Sequence, residues 1–163
     1  DLVKKLDYEC ELAVVLGKDA RDVPAGQTRD YIFGYTILND VSARDVQTAH
    51  KQWYFGKSLD GFTPIGPCIV TADAFADYPP RLGIRSFVNG EKRQDSNTAL
   101  QIFDIDHVIA ELSQGMTLKA GTIIATGTPA GVGMGMDPPQ FLKPGDVVRC
   151  EIDGIGTLTN PVE

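Results

Sequence analysis

The sequence predicts a mostly β fold with a few short helices, in the α+β class. Its apolar segments are short and rich in β-branched and aromatic residues, as strands are. The 17 glycines and 10 prolines indicate frequent turns. With 163 residues, of which 42% are hydrophobic and 23% charged, the chain can bury one sizeable core. We therefore expect residues 1–163 to form a single domain.

Composition also limits the partners of the chain. The net charge of -7 argues against nucleic acid or an anionic membrane surface as a partner. No apolar run is long enough to span a bilayer and no signal peptide is visible, so we expect a cytoplasmic protein. The three cysteines, Cys10, Cys68 and Cys150, lack motif spacing. They are expected to be buried thiols in a reducing compartment.

The first predicted strand runs from Leu6 to Gly17 and carries two nearby glutamates. Side chains at i and i+2 share one face of a strand, so Glu9 and Glu11 point the same way. Like charges side by side repel and favour a compensating partner. A hard divalent cation such as Mg²⁺ or Mn²⁺ suits carboxylate oxygens. The simpler alternative is an exposed strand face with two solvated glutamates.

A second predicted strand, Tyr31 to Asn39, ends at Asp40. This carboxylate could join the two glutamates of the first strand. Three carboxylates can hold one Mg²⁺ or Mn²⁺ and leave positions for water or for a chelating substrate. A 2-oxo acid chelates through its carboxylate and its keto oxygen, so such an acid is the substrate class that fits.

A short helix is predicted from Ala43 to about His50. Ser42 and Asp45 have the spacing of a capping box at its start. Arg44 and Gln47 then lie on one face, next to the strand end that carries the third carboxylate. Alternatively, the arginine and the neighbouring aspartate form only a salt-bridged helix start.

The segment Lys51 to Pro67 has no periodicity and is predicted to be an ordered loop. It contains the only tryptophan and an isolated lysine, Lys57. Long ordered loops with aromatic anchors often carry function. Beside Gln47, this lysine could bind a substrate and stabilise an enolate. A lone lysine is otherwise most often a surface residue.

The remaining strands are predicted from short alternating segments and turn signals. Asn89-Gly90 indicates a hairpin over Ile84 to Gln94. Two further strands are expected at Cys68 to Ala72 and at Gly121 to Thr126, and a last hairpin spans Val147 to Thr159.

The clearest helical pattern follows Asp104, which can cap it. Ile105, Val108, Ile109 and Leu112 form an apolar stripe, and Gly115 lies past the end. We interpret this helix as a core-packing element without chemistry. His107, within it, and His50 lack ligand spacing and are expected to be non-catalytic.

A glycine-rich loop, Gly127 to Gly133, follows the strand that ends near Thr126. It is not a P-loop, because no Gly-Lys-Ser/Thr follows. Glycines let backbone N–H groups approach a carboxylate closely, so the loop that begins at Gly127 is a candidate substrate contact. An ordinary tight connection is the alternative.

Five blocks, in order along the chain, resemble the fumarylacetoacetate hydrolase family. The resemblance extends over nearly all of the sequence. A sixth stretch, 135–146, is similar to that of bacterial members that act on small 2-oxo diacids. The five blocks are Asp7–Gly17, Gly34–Gln47, Phe55–Asp60, Pro64–Pro67 and Ala125–Gly133.

This resemblance implies a mixed β-sheet roll, a homodimer and a bound Mg²⁺ or Mn²⁺. It places the metal on Glu9, Glu11 and Asp40. It places four further residues in the substrate pocket, with the lysine polarising the keto or enol oxygen; these are Arg44, Gln47, Lys57 and Thr128.

Many family members also carry a His and Glu pair on an upstream lid that moves the proton or activates water. No residue precedes Asp1 here, so that pair cannot be assigned, and we expect the native protein to be longer.

The resemblance implies an enzyme acting on a 2-oxo or 1,3-dioxo carboxylate through an enolate. Hydrolysis of an acylpyruvate, decarboxylation of oxaloacetate and isomerisation of a 2-hydroxyhepta-2,4-diene-1,7-dioate in aromatic catabolism all use one. Of these reactions we expect C–C bond cleavage, with isomerase or tautomerase activity as the alternative. A catalytically weak metal-binding module is a second alternative, and a mere β-rich scaffold would leave the ordered polar blocks unexplained.

Overall fold

The computed structural model describes residues 2–49 and 51–163 and contains two four-stranded sheets. One sheet has the order β5-β3-β2-β8 and the other β10-β9-β6-β7. A two-stranded β1–β4 ribbon accompanies them. The strands are β1 (Leu6–Asp7), β2 (Cys10–Leu16), β3 (Ile32–Asn39), β4 (Ser42–Ala43), β5 (Ile65–Thr71), β6 (Gly83–Val88), β7 (Glu91–Asn97), β8 (Ile123–Ala125), β9 (Val147–Ile152) and β10 (Gly156–Pro161).

Three short α-helices join these strands, so the prediction of a mostly β fold with a few short helices is confirmed. The resemblance implies a mixed sheet, but each pairing between the named strands is antiparallel. Four 3₁₀ turns lie between the named elements of the described residues. The helices are α1 (Arg44–Ala49), α2 (Tyr54–Lys57) and α3 (Ile105–Leu112).

The first predicted strand is divided into two pieces. β1 pairs with β4, whereas β2 pairs with β3 and β8. The register sets Cys10 opposite Asn39, and the Asp40 N–H donates to the Glu9 carbonyl at 2.9 Å. The start of β2 and the end of β3 therefore meet, which brings the predicted carboxylates of both segments to one edge of the sheet.

The core lies between the two sheets. Tyr8, Cys10 and Leu12 are buried in it, as the strand alternation predicts for residues opposite Glu9 and Glu11. Cys150 of β9 is buried in the same core. The prediction of three buried thiols is wrong for Cys68, which is exposed because it lies on β5 at the edge of its sheet.

Both predicted hairpins are present. Asn89 and Gly90 have φ values of 52° and 85°, as a type I′ turn between β6 and β7 requires. β9 and β10 pair across the turn that includes Asp153 and Gly154. The other predicted strands occur with shifted ends, and a 3₁₀ turn at Thr28–Tyr31 precedes β3.

The predicted core-packing helix is confirmed as α3. The Asp104 carboxylate accepts from the His107 N–H at 2.8 Å and caps it, and Gly115 adopts φ 73° past its end. Ile105 and Ile109 are buried, but Leu112 is 38% exposed, so the apolar stripe is covered only over its first turns.

The capping box predicted at Ser42 is wrong. Ser42 belongs to β4, and its hydroxyl donates to the Asp40 carbonyl at 2.9 Å instead of capping α1. The Asp45 carboxylate accepts the backbone N–H of Lys4. Pairing with β1 therefore replaces the local cap. The helix itself starts at Arg44 and reaches Ala49, and His50 lies outside the described residues.

None of the helices in the described part of the chain combines the length and the apolar character needed to cross a bilayer.

Candidate metal and ligand site

Three carboxylates converge where β2 begins and β3 ends. One oxygen each from Glu9, Glu11 and Asp40 lies within 4.8 Å of the others. Glu11 is buried, whereas the Asp40 side chain keeps 23% of its surface exposed. The structure thus brings together the three residues predicted as metal ligands, in a place that an ion can reach from solvent.

Lys57 lies between two of these carboxylates. Its ammonium nitrogen is 2.7 Å from Glu9 Oε2 and 2.6 Å from Asp40 Oδ2. The lysine side chain is only 17% exposed, so the surface-lysine alternative is wrong. The ammonium neutralises part of the repulsion within the cluster.

α2 carries Lys57 to this position, within the segment predicted to be a loop. Gly56 makes the approach possible, because a Cβ there would lie 2.7 Å from the Gln47 backbone nitrogen. α2 therefore packs directly on the backbone of α1, which holds Arg44 and Gln47.

Gly56→Ala is expected to move α2 away from α1 and to lower the free energy of unfolding by about 1–3 kcal/mol, because overpacking forces backbone shifts. Urea denaturation measures the change. Gly135→Ala is the matched control, since its Cβ would come no closer than 3.8 Å to Val132 and should cause almost no change. Equal unfolding midpoints for the Gly56 variant and the unaltered protein would contradict this account of the helix contact.

Arg44 makes three contacts inside the cluster. Its Nη2 lies 2.6 Å from Glu9 Oε1, its Nε donates to Asp7 Oδ2 at 2.9 Å, and its Nη1 donates to Gln47 Oε1 at 3.1 Å. The alternative of a simple Arg44–Asp45 salt bridge is wrong, because no such pair forms between these two described residues. Burial opposes the charge of Arg44, but the carboxylates of Glu9 and Asp7 more than offset it and raise its pKa.

The contact with Arg44 also sets the orientation of the Gln47 carboxamide. The oxygen faces the guanidinium, so the amide NH₂ is left to face away from it. Gln47 is buried, and no partner for this NH₂ occurs among the described residues. Gln47 can therefore donate to a ligand that presents acceptor oxygens.

Glu11 is held by the glycine-rich loop. The Gly127 N–H, predicted as a substrate contact, donates instead to Glu11 Oε2 of the protein at 2.8 Å. Burial raises the pKa of Glu11 to about 7, the Gly127 hydrogen bond lowers it, and the nearby charges of Asp40 and Glu9 raise it further. An unneutralised carboxylate at this position is unfavourable.

The charges of the cluster fit a divalent ion. Four carboxylates, including Asp7, face two cationic side chains, which leaves a formal charge of about -2. The candidate ligand atoms of Glu9, Glu11 and Asp40 are all carboxylate oxygens, as Mg²⁺ and Mn²⁺ prefer. The donor set and the charge together suit one such ion.

The hydroxyl of Thr128 forms two hydrogen bonds within the protein. It donates to the Cys10 carbonyl at 2.9 Å and accepts from Gln94 Nε2 at 2.8 Å. Gln94, a fully buried residue of β7, also accepts the Cys10 N–H and donates to the Pro129 carbonyl. The second sheet thereby holds the glycine-rich loop against the start of β2.

Two residues of this arrangement, Asp7 and Gln94, are absent from the sequence prediction. Asp7 is fully buried and contacts Arg44, yet at the polar edge of a predicted strand it looks like a solvated charge. Gln94, at the end of a predicted hairpin, likewise looks like a solvated polar residue. The only local signal for Asp7 is its position two residues before Glu9 of the E-x-E pair, and Gln94 has no local signal.

An apolar hollow beside the loop is not lined by the carboxylates. It has a volume of about 450 Å³ and includes Leu12, Phe103 and Thr128 among its lining residues. Leu12 faces the side of β2 opposite to Glu11, so the hollow and the carboxylate cluster lie on different sides of the strand. His107 is stacked on Phe103 near this region, with ring centroids 4.8 Å apart, and does not join the cluster.

The sequence matches a known protein family along its whole length. The family profile described as "Fumarylacetoacetate (FAA) hydrolase C-terminal" matches residues 1–163. Oxaloacetate tautomerase YisK of Bacillus subtilis (strain 168) is 49% identical over 162 residues, which cover 99% of this chain and 54% of the relative. The chain therefore spans about half the length of such relatives.

Solved structures are similar over the same range. The fumarylacetoacetate hydrolase (EaFAH) from psychrophilic Exiguobacterium antarcticum is 52% identical with a TM-score of 0.96, and the match covers 100% of this chain and 58% of that one. The 5-carboxymethyl-2-hydroxymuconate delta-isomerase from Mycobacterium smegmatis is 43% identical with a TM-score of 0.88, covering 98% and 59%. The relatives with this fold thus include proteins named as a hydrolase, an isomerase and a tautomerase.

Proposed function

The chain belongs to the fumarylacetoacetate hydrolase family, and on that premise we propose that it forms the metal and ligand site of an enzyme acting on small 2-oxo diacids through an enolate. One observation carries the proposal. Three carboxylates, a lysine and an arginine–glutamine pair meet in one cluster, with distances of 2.6–3.1 Å between their paired atoms. Each group matches a need of enolate chemistry.

In this proposal Glu9, Glu11 and Asp40 hold one Mg²⁺ or Mn²⁺. The ion, when bound, supplies positive charge at the carboxylate and keto oxygens of a 2-oxo acid. Gly127 is not a metal ligand in this proposal; its N–H holds one oxygen of Glu11 in place. Thr128 holds the loop through its two hydrogen bonds and can reach a ligand only with its remaining acceptor capacity or its backbone N–H.

Arg44 and Gln47 bind and orient the substrate. A guanidinium has five N–H donors, of which three contact the protein here, so two remain for an anionic oxygen. The Gln47 NH₂ adds donors beside them. A carboxylate or keto oxygen suits this set of donors, so the donors favour a substrate acid with several oxygens.

Lys57 stabilises the oxygen that becomes negative when the enolate forms. Its ammonium lies 2.6 Å from Asp40, at the edge of the carboxylate cluster, and can donate to a ligand oxygen bound there. In a keto–enol conversion, one proton leaves the carbon next to the keto group and one proton arrives at the oxygen, so no oxidant or reductant is needed.

Two reactions share this enolate. Proton transfer in a 2-oxo diacid, the tautomerase or isomerase reaction, is supported by the names of the Bacillus and Mycobacterium relatives. Hydrolytic C–C bond cleavage, as of an acylpyruvate, is supported by the hydrolase name of the Exiguobacterium relative. Decarboxylation of oxaloacetate would pass through the same kind of enolate. We place proton transfer first, because oxaloacetate, for which the Bacillus tautomerase is named, is itself a small 2-oxo diacid.

Calorimetric titration of Mn²⁺ into the full-length protein, with and without oxalate, tests the site. Oxalate resembles a pyruvate enolate, and we expect it to bind only when Mn²⁺ is present. Oxaloacetate is then added while its enol absorbance and the release of pyruvate are followed together. Metal-dependent loss of the enol signal without pyruvate indicates tautomerisation, and matching pyruvate release indicates cleavage.

Two outcomes would count against the proposal. Oxalate binding without any turnover of 2-oxo acids would favour a metal-binding module. Absence of Mn²⁺ binding by the folded protein would show that the carboxylates have a structural role only.

We also propose that two copies of the chain pair, as the resemblance implies. Three exposed isoleucines lie on the face of the sheet that carries Glu11. Leu38 and Val15 share this face, and the strand register pairs Ile65 with Leu38 and Ile123 with Val15. The third, Ile69, lies over Gly34. Each of the three is more than 40% exposed. A monomeric mass in analytical ultracentrifugation of the full-length protein would exclude this pairing.

A further inference from the structure

Asp7 lies directly behind Arg44 and is fully buried. Its Oδ2 accepts from Arg44 Nε and from the Met134 N–H, both at 2.9 Å. Its Oδ1 accepts from the N–H groups of Tyr8 and Gly133 at 2.9 and 2.7 Å. A carboxylate offers about four acceptor positions, so this one is fully occupied by the protein itself.

The contact of Asp7 with Nε controls how the guanidinium of Arg44 is turned. Nε is the nitrogen closest to the aliphatic stem, and a hydrogen bond there fixes the plane of the fork. Nη1 and Nη2 are then directed at Gln47 and Glu9. Without Asp7, the fork could rotate about the stem and would lose the alignment with both partners.

The backbone on the other side of Asp7 is itself tightly held. A Cβ at Gly133 would lie 1.9 Å from the Gln140 carbonyl oxygen and 2.8 Å from Asp7 Oδ1, so only glycine fits. The Gln140 N–H also donates to the Gly133 carbonyl at 2.9 Å. The two N–H groups that hold the carboxylate therefore belong to a well-packed turn.

We propose that Asp7 is a positioning residue for ligand binding: it aligns Arg44, so that the two unused guanidinium N–H groups meet a ligand carboxylate, and it anchors this alignment to the turn at Gly133 and Met134. Asp7 touches neither the ligand nor the metal in this assignment. The inference rests on the proposed function, because Arg44 is taken as a ligand-binding residue there.

The test is Asp7→Asn in the full-length protein, measured by calorimetry. Asparagine keeps the shape, but its NH₂ cannot accept the backbone N–H groups that the carboxylate accepts. We expect the affinity of the Mn²⁺-loaded protein for oxalate to fall about 10- to 100-fold, as for other residues that orient binding groups. Mn²⁺ affinity should change by less than about threefold, because no ligand oxygen is removed.

Asp106→Asn is the matched control. The Asp106 carboxylate also joins distant segments, accepting from the Gly26 N–H at 2.6 Å and the Thr28 hydroxyl at 2.5 Å, but it contacts no residue of the cluster. It should leave oxalate affinity unchanged even if stability falls. Combining Asp7→Asn with Arg44→Lys should add little to the effect of Arg44→Lys alone, since lysine has no fork to align.

Several results would overturn the inference. Unchanged oxalate affinity in Asp7→Asn, an equal loss in Asp106→Asn, or full additivity with Arg44→Lys would each do so. If the unaltered protein binds neither Mn²⁺ nor oxalate, the proposed function fails first and this assignment falls with it. Should Asp7→Asn not fold, the NMR signal of Arg44 Nε–H in the unaltered protein decides: slow exchange with water supports the contact, and fast exchange refutes it.

Discussion

Glu11→Gln is expected to weaken Mn²⁺ binding by at least about 100-fold, more than the loss of a residue that only orients a ligand. Glutamine keeps the shape and can still accept the Gly127 N–H, but it removes one of three charged donors. The folded state should persist, because the substitution removes a buried charge rather than a packed group. Calorimetric titration of Mn²⁺ and urea unfolding of the metal-free protein measure both effects.

Glu111→Gln provides the control for Glu11→Gln. Glu111 lies exposed on α3, and its carboxylate accepts a hydrogen bond from the Gln114 side chain on the same surface, so the same change in net charge occurs away from the cluster. Mn²⁺ affinity should stay at the value of the unaltered protein. Equal Mn²⁺ affinities for both variants would remove Glu11 from the ligand set.

Lys57→Met is expected to lower the turnover rate of the full-length enzyme about 100- to 1,000-fold, as the removal of a group that stabilises a developing oxyanion does. Mn²⁺ affinity should stay constant or become tighter, because the ammonium no longer competes for oxygens of Glu9 and Asp40. The split between rate and metal affinity distinguishes this role from that of a ligand. Steady-state kinetics at saturating Mn²⁺ and substrate measure it.

Lys119→Met removes a comparable ion pair at the surface. Lys119 lies 2.7 Å from Asp19 and is 73% exposed, so its loss should change neither turnover nor metal affinity and should have little effect on stability. Turnover by Lys57→Met at the rate of this control would show that the lysine serves only to neutralise the carboxylates.

The strands and hairpins follow from short-range patterns, which is why they could be predicted. Asn89-Gly90 specifies its turn locally, and the alternation around Glu9 and Glu11 correctly separates the core face from the polar face. The capping box failed at Ser42 because pairing with β1 competes with the local cap. α2 has only four residues, too few to show a helical period.

The candidate site was predictable where its residues have chemistry visible in the sequence. The sequence predicts the carboxylates, Arg44, Gln47 and Lys57 as site residues, and these residues meet in the fold. It does not predict Asp7 and Gln94, because their roles depend on backbone groups far along the chain, at Gly133 and Cys10. A buried polar side chain that only holds others in place has no pattern of its own.

The hydrogen bonds of the cluster differ greatly in the length of chain that they close. Asp40 and Lys57 are 17 residues apart, and Glu9 and Asn39 are 30 apart, whereas the Glu11–Gly127 and Asp7–Gly133 bonds close 116 and 126 residues. Longer closures lose more chain entropy and form later on average. During folding, the carboxylates and the lysine can therefore gather while the second half of the chain is still unstructured. We therefore expect a divalent ion to accelerate refolding more than oxalate does, because its three candidate ligands lie within the first 40 residues.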